Sequence, residues 1–103
     1  MMNMFGELAL SKKVLIALSE MGFEEPTPIQ AQAIPLIMQK IDVIGQAQTG
    51  TGKTAAFGIP IVENVVPNQH RLQALVLVPT RELAIQVAEE INRIGRHKRV
   101  KVL

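Results

Sequence analysis

The sequence predicts an α/β fold in which a small parallel sheet is flanked by helices. Three short apolar segments, at 42–47, 73–78 and 100–103, have the length and composition of strands. Segments at about 53–66 and 80–94 lie between them and have helical patterns, and two further helices are predicted before the first strand. Because a helix-length crossover makes consecutive strands run in the same direction, this order of elements favours a parallel sheet.

The two predicted helices before the first strand have clear terminal signals. The first runs over 11–22, from a serine at its start to a glycine at its end. In the second, Thr27 is an N-cap, Pro28 occupies the first helical position, and Gln30 completes a capping box of the form Thr-x-x-Gln. Pro35 is expected to kink this helix or to divide it.

Composition limits the class of protein. The chain has 103 residues, of which 48% are apolar, and this is enough for one small domain with a modest core. It contains no cysteine, which excludes disulfides and thiolate metal sites. The sequence shows no signal peptide, and no apolar segment reaches the roughly 18 residues of a membrane span. We therefore expect a cytoplasmic protein with no membrane partner.

A basic segment overlaps the end of the last predicted helix. Residues 93–101, RIGRHKRVK, contain five Lys or Arg residues, one His and no acidic residue, and they contribute much of the net charge of +2. Two interpretations stay open. The segment is either a solvated helix end and loop or a patch that faces the phosphates of a nucleic acid.

A glycine-rich loop separates the first predicted strand from the third predicted helix. The segment 47–54, AQTGTGKT, follows the phosphate-loop pattern of Gly, four residues, Gly, Lys and Ser or Thr, except that its first position is alanine. Gly50 and Gly52 let backbone N–H groups turn towards an anion. Lys53 can reach the terminal phosphates, and Thr54 can place its hydroxyl on Mg²⁺. The alternative is an ordinary flexible turn, but the strand before the loop and the helix after it favour phosphate binding.

Two further motifs narrow the choice among phosphate-binding families. The segments GFEEPTPIQ (22–30), AQTGTGKT (47–54) and PTRELA (79–84) occur in this order along the chain. Together they resemble the Q motif, motif I and motif Ia of the DEAD-box family of ATP-dependent RNA helicases. Ala47 is itself typical of motif I in that family. The resemblance covers almost the whole chain from Phe5 onward, and it implies a RecA-like, phosphate-loop domain.

The resemblance implies a site for ATP or ADP. Gln30 would recognise adenine, because its side-chain amide can both donate and accept and so pairs with adenine N7 and N6. The alternative for Gln30 is the capping box alone. Phe5 would stack on the adenine face, with packing against the first helix as the alternative. Phe23 and Thr27 would shape the pocket.

The resemblance also assigns the phosphate and metal roles. Lys53 and Thr54 would contribute to catalysis, and Thr54 would bind Mg²⁺. The residues expected to bind the nucleotide are Phe5, Phe23, Thr27, Gln30, Gln48, Thr49, Gly50, Thr51, Gly52, Lys53 and Thr54.

A role in RNA binding is implied for the start of the last predicted helix. By resemblance, Pro79, Thr80 and Arg81 would contact the RNA phosphate backbone. A helix N-terminus and a guanidinium both favour an anion, and contacts of this kind are not sequence-specific. The alternatives are a helix cap for Thr80 and a solvated surface position for Arg81.

The resemblance further indicates which parts of such a helicase the 103 residues lack. Residues 1–40 would form a Q-motif helical region, and residues 41–103 the first half of RecA-like domain 1, a partial parallel sheet truncated after its third strand. The Asp-Glu-Ala-Asp and Ser-Ala-Thr motifs of the family do not occur in the sequence. We therefore expect an N-terminal fragment of an ATP-dependent RNA helicase that alone neither hydrolyses ATP nor unwinds RNA.

Other interpretations of the chain stay open. It is alternatively a stand-alone adenine-nucleotide-binding or assembly module, or a fragment with no native activity. Because the predicted strands would lack their usual neighbours, we expect marginal stability or self-association through open sheet edges. One residue departs from the family pattern: Lys40 stands where the family often has glycine, at the end of the second helix.

Overall fold

The computed structural model of the chain describes residues 5, 8–45 and 52–102. Within these residues the chain forms four α-helices, at the positions that the sequence predicts. They are α1 (Lys12–Glu20), α2 (Pro28–Met38), α3 (Lys53–Asn64) and α4 (Arg81–Ile94). None of the helices in this part of the chain is long and apolar enough to cross a membrane.

The start of α2 has the predicted capping box. The Thr27 hydroxyl accepts a hydrogen bond from the Gln30 N–H at 3.4 Å, and Gln30 Oε1 accepts one from the Thr27 N–H at 3.0 Å. Of the two effects expected of Pro35, division of the helix does not occur, because α2 continues through it to Met38, and a kink stays a prediction. Ile34, beside the proline, is buried in the core, so packing holds the helix together where one hydrogen bond is missing.

Helix α3 lies at the centre of the structure, in contact with both α2 and α4, while α1 contacts α3 and α4. Gly58 allows α3 and α4 to approach closely. A Cβ at this position would lie 3.3 Å from Ile91 Cγ1 and 3.4 Å from Ile94 Cδ1. Pro60 is also accommodated inside α3, on its buried side.

One apolar core joins all four helices. It unites the predicted Q-motif region with the residues that follow, and the division between the two at residue 40 stays a prediction. The core cluster consists of Phe5, Leu10, Val14, Leu18, Ile34, Ala55, Ile59, Val62, Val87, Ile91 and Ile94.

The predicted strands are not formed in the described residues, so the partial parallel sheet stays a prediction. Segments 42–45, 73–78 and 100–102 have no regular secondary structure; residues 46, 47 and 103 lie outside the described ranges. A strand exists only when a neighbour accepts and donates its backbone hydrogen bonds, and these segments do not pair with one another. The local apolar pattern could not supply that neighbour.

The segment at 73–78 nevertheless keeps the alternation of an extended chain. Val76 and Val78 pack against the core. Leu75 and Leu77 point the other way and are 72% and 85% exposed. Period-two alternation is the geometry of a strand with one covered face. Further large apolar side chains are exposed on the neighbouring segments, namely Ile41, Val43, Ile44 and Leu72.

The end of α2 shows the backbone conformation of Lys40, the residue that stands where the family often has glycine. Its backbone has φ of 64°, in the left-handed region that favours glycine. The turn is closed by two hydrogen bonds, from the Lys40 N–H to the Ile37 oxygen at 2.9 Å and from the Ile41 N–H to the Leu36 oxygen at 3.0 Å. This is the pattern in which a helix commonly ends on glycine. Lys40 therefore adopts a conformation that is costly for a residue with a side chain.

Candidate functional site

The start of α2 and the start of α3 are joined by one buried side chain. Gln30, in the first turn of α2, is 2% exposed, and it is the one buried polar side chain among the described residues. Its Nε2 donates to the backbone oxygen of Gly52 at 3.1 Å, across 22 residues of sequence. Its Oε1 accepts from the Thr27 N–H at 3.0 Å. The amide orientation is fixed, because its oxygen faces a donor and its nitrogen faces an acceptor.

Gly52 is the N-cap residue of α3, and glycine is required there for two reasons. Its φ of 84° lies in the left-handed region. In addition, a Cβ at this position would lie 2.3 Å from Gln30 Nε2 and 3.4 Å from Thr27 Cγ2. The close contact between α2 and α3 at this point therefore depends on the absence of a side chain.

The N-terminus of α3 has the features of an anion site. No side chain of the described residues caps it. Toward this part of the chain its first backbone N–H groups remain available, and the helix dipole adds positive potential. Lys53, the first residue of α3, is exposed, and Thr54 is half-buried beside it. These residues fit a phosphate group and a metal-bound hydroxyl. The predicted site residues Gln48, Thr49, Gly50 and Thr51 lie outside the described residues.

The two predicted aromatic residues lie against each other. Phe5 is 1% exposed and belongs to the core cluster. Its ring centroid is 6.1 Å from that of Phe23, with the planes tilted by 35°. Phe5 also shares the core cluster with Val14 and Leu18 of α1, which agrees with the alternative of packing against the first helix. Stacking of Phe5 on adenine stays a prediction, and it would require the ring to leave the core.

The start of α4 holds the predicted RNA-binding residues on the surface. Thr80 caps the helix, since its hydroxyl accepts from the Leu83 N–H at 3.1 Å. Pro79, Thr80 and Arg81 are all exposed, and Glu82 lies in the first turn. The capping role of Thr80 is therefore confirmed, while phosphate contact by the three residues stays a prediction.

Part of the basic segment at the end of α4 contacts other protein groups. His97 Nε2 lies 2.7 Å from Glu20 Oε1, and Arg96 lies 3.7 Å from the same oxygen. The hydrogen bond from His97 is the main cause that lowers the pKa of the Glu20 carboxyl. The sequence allows two interpretations of this segment, a solvated helix end or a patch that faces phosphates. In the structure Arg96 and His97 join the turn after α4 to the end of α1, and phosphate contact by the segment stays a prediction.

A cleft of about 380 Å³ lies beside this contact. It is lined by Glu20, Met21, Phe23, Glu90, Arg93 and Arg96. Two guanidinium groups face two carboxyl groups, so the charges offset each other, and burial raises the pKa of Glu90. Such a lining offers little attraction to a triphosphate, and the α3 N-terminus remains the better anion site.

The Gly52 geometry gives a test with a matched control. Gly22 has nearly the same φ, 85°, but a Cβ there would meet nothing within 4 Å. We expect Gly22→Ala to cost about 1 kcal/mol, the conformational term alone. Gly52→Ala should cost about 1–3 kcal/mol more, because the new methyl group displaces the Gln30 amide. Urea unfolding of the two variants measures both costs. Equal costs would show that the contact between Gly52 and Gln30 contributes nothing.

Comparison with known proteins shows which family the chain resembles. Residues 27–103 match the family model described as DEAD/DEAH box helicase. The chain is 66% identical over 102 residues to DEAD-box ATP-dependent RNA helicase CshA of Geobacillus kaustophilus, which covers 99% of this chain and 22% of that protein. It is 62% identical to the protein of the same name from Bacillus subtilis, over 96% of this chain and 20% of that one. The chain therefore spans about a fifth of the length of the curated relatives it matches.

Solved structures of DEAD-box proteins also resemble this chain. A DEAD box protein from the hyperthermophile Methanococcus jannaschii matches with a TM-score of 0.84 and 49% identity, over 88% of this chain and 25% of that one. S. cerevisiae Dbp5 bound to RNA and ADP BeF3 matches with a TM-score of 0.87 and 38% identity, over 93% of this chain and 25% of that one. The overall arrangement described above is thus shared with RecA-like domains.

Proposed function

Since the chain belongs to the DEAD/DEAH box helicase family, we propose that it binds ATP or ADP between the start of α2 and the start of α3, as part of an ATP-dependent RNA helicase. One observation carries this proposal. The Gln30 amide, which the family resemblance assigns to adenine, is bonded to Gly52 at the end of the phosphate loop. The groups that would read the base and hold the phosphates are therefore adjacent in space.

Adenine recognition follows from the chemistry of the Gln30 amide. Its nitrogen donates to Gly52 and its oxygen accepts from Thr27, so both polar atoms have protein partners. Because the side chain is 2% exposed, a base can reach it only if the covering residues move. We propose that adenine takes the place of the Gly52 oxygen on Nε2, while the capping box with Thr27 operates when no nucleotide is bound. Guanine cannot make the same pairing, because it presents the acceptor O6 beside N7 where adenine presents the donor N6.

The phosphate part of the proposal rests on the N-terminus of α3. The uncapped N–H groups, Lys53 and the hydroxyl of Thr54 suit a polyphosphate with Mg²⁺, and Gln48 to Thr51 complete the loop by family resemblance. When bound, the metal would neutralise phosphate charge. Because the sequence has no Asp-Glu-Ala-Asp motif, we propose that the 103 residues bind nucleotide without hydrolysing it.

RNA contact is proposed for the exposed start of α4. Dbp5 of S. cerevisiae, which resembles this chain, has been solved bound to RNA. We propose that Pro79, Thr80 and Arg81 contact the phosphate backbone without reading sequence. We further propose that segments 42–47, 73–78 and 100–103 become strands of a parallel sheet when neighbouring strands of a longer protein are present. Their alternating pattern supports this, because the exposed Leu75 and Leu77 would then be covered.

The nucleotide proposal is tested by titrating the ¹⁵N-labelled chain with MgADP and with MgGDP. We expect MgADP to shift the amide signals of Gly52 and Ala55, and MgGDP to bind more weakly. Gln30→Ala should lower the affinity for MgADP by roughly tenfold and abolish the preference over MgGDP.

The matched control for this titration is Gln32→Ala, because Gln32 lies in the same helix but is exposed. It should bind MgADP as the unaltered chain does. Tight binding of both nucleotides with no preference would contradict the adenine role of Gln30 and favour a stand-alone nucleotide-binding module.

A second candidate activity, self-association, is favoured by the exposed apolar residues. We expect the sedimentation coefficient of the chain to rise with concentration, because unpaired extended segments and exposed leucines favour pairing. Leu77→Thr should reduce this rise and leave unfolding stability within about 0.5 kcal/mol, since Leu77 is 85% exposed.

Val78→Thr is the control for Leu77→Thr, because Val78 packs against the core. It should lower stability by about 1 kcal/mol. A sedimentation coefficient that is independent of concentration, together with a sharp urea transition, would rule out association.

A further inference from the structure

The C-terminal end of α3 is held by polar bonds from two distant parts of the chain. Lys98 Nζ donates to the backbone oxygens of Val62, at 2.7 Å, and Glu63, at 2.5 Å. The Glu63 carboxylate accepts a hydrogen bond from the backbone N–H of Ser11, the N-cap residue of α1, at 2.9 Å. We call Ser11, Glu63 and Lys98 the α3 anchor.

The α3 anchor supplies the hydrogen-bond donors and the positive charge that stabilise the C-terminal end of a helix. The last carbonyl groups of a helix have no partners within it, and they carry partial negative charge. The last turn of α3 contains no basic residue of its own. Lys98 supplies the missing cation from 35 residues further along the chain, with charge-assisted hydrogen bonds to two of these carbonyls.

Lys98 is presented by a defined turn. Gly95 ends α4, and its oxygen accepts from the Lys98 N–H at 3.0 Å. Arg99 has φ of 61°, in the left-handed region. A Cβ on Gly95 would lie 2.9 Å from the Cβ of Val100, so the chain folds back tightly after α4. The ammonium group of Lys98 is therefore directed at α3 by the fold of its own segment.

Polar bonds at both ends fix α3 along its axis. Its sides are covered by apolar contacts, which are not directional. At the N-terminal end, Gln30 Nε2 holds the oxygen of Gly52. At the other end, the anchor holds Val62 and Glu63. The helix has 12 residues and is about 18 Å long, so the two attachments oppose each other across the core.

We propose that Lys98 is a positioning residue for the nucleotide site. The proposal rests on the function proposed above. When adenine takes the Gln30 amide, α3 loses its polar bond to α2. Among the described residues, the anchor is then the remaining polar attachment at the ends of the helix. It then keeps the start of α3, with Lys53 and Thr54, in place while the nucleotide is bound. Loss of Lys98 weakens nucleotide binding although the residue lies at the far end of α3 from the phosphates.

The test compares three variants of the 103-residue chain in the MgADP titration, with urea unfolding measured in parallel. We expect Lys98→Met to lower the affinity for MgADP about fivefold or more. Lys98→Arg should restore most of it, because a guanidinium also donates to two carbonyls. Lys101→Met removes a neighbouring exposed lysine and should bind as the unaltered chain does. Lys98→Gln, which keeps a donor for one carbonyl, replaces Lys98→Met if the latter does not fold.

The outcomes separate this inference from the function on which it rests. If Lys98→Met unfolds at lower urea but binds MgADP as tightly as the unaltered chain, Lys98 is only structural and the inference is overturned. If the unaltered chain shows no shift with MgADP, the nucleotide site itself is wrong and the inference falls with it. Loss of affinity in Lys98→Met with recovery in Lys98→Arg supports both.

Discussion

The hydrogen bond between the Gln30 amide and the Gly52 backbone is the constraint on which the site depends. It joins two segments that are 22 residues apart, and it does so inside the protein, where an unpaired amide would be costly. The bond is possible only because Gly52 has no side chain and adopts a left-handed backbone. The same contact therefore explains the buried glutamine, the glycine at the start of α3, and the packing of α2 on α3.

Helix α3 connects this local contact to the other helices of the structure. Its N-terminus is bonded to Gln30 through Gly52, and its middle packs closely on α4 through Gly58. Its C-terminus is bonded to Lys98 and, through Glu63, to Ser11. Every helix thus touches α3 or is bonded to it. A site built at the end of such a central helix is positioned by the core.

The helices could be predicted from the sequence because their signals are local. The capping box at Thr27 and Gln30 depends on residues three apart, and it forms as expected. The strands could not be predicted in the same way, because pairing depends on a neighbouring segment. The apolar residues at 73–78 show the right alternation but have no strand partner within the described residues.

The contacts of the candidate site can be predicted from the sequence only in part, for the same reason. The motif pattern selected Gln30, Lys53 and Thr54, but no local signal showed that Gln30 bonds to Gly52 or that Phe5 is buried against Phe23. In the sequence, Lys98 is one charge in a basic segment. Its bonds reach residues 35 and 36 positions away, and sequence spacing carries no information about such a contact.

The proposed exchange replaces the Gly52 oxygen by adenine as the acceptor at Gln30 Nε2. It is tested most directly by the scalar coupling across the hydrogen bond, measured by NMR between the Gln30 side-chain nitrogen and the Gly52 carbonyl carbon. We predict that the coupling is present in the free chain and disappears on saturation with MgADP, while the Gln30 side-chain signals shift. A coupling that persists unchanged in the MgADP complex, with unshifted side-chain signals, would contradict the account.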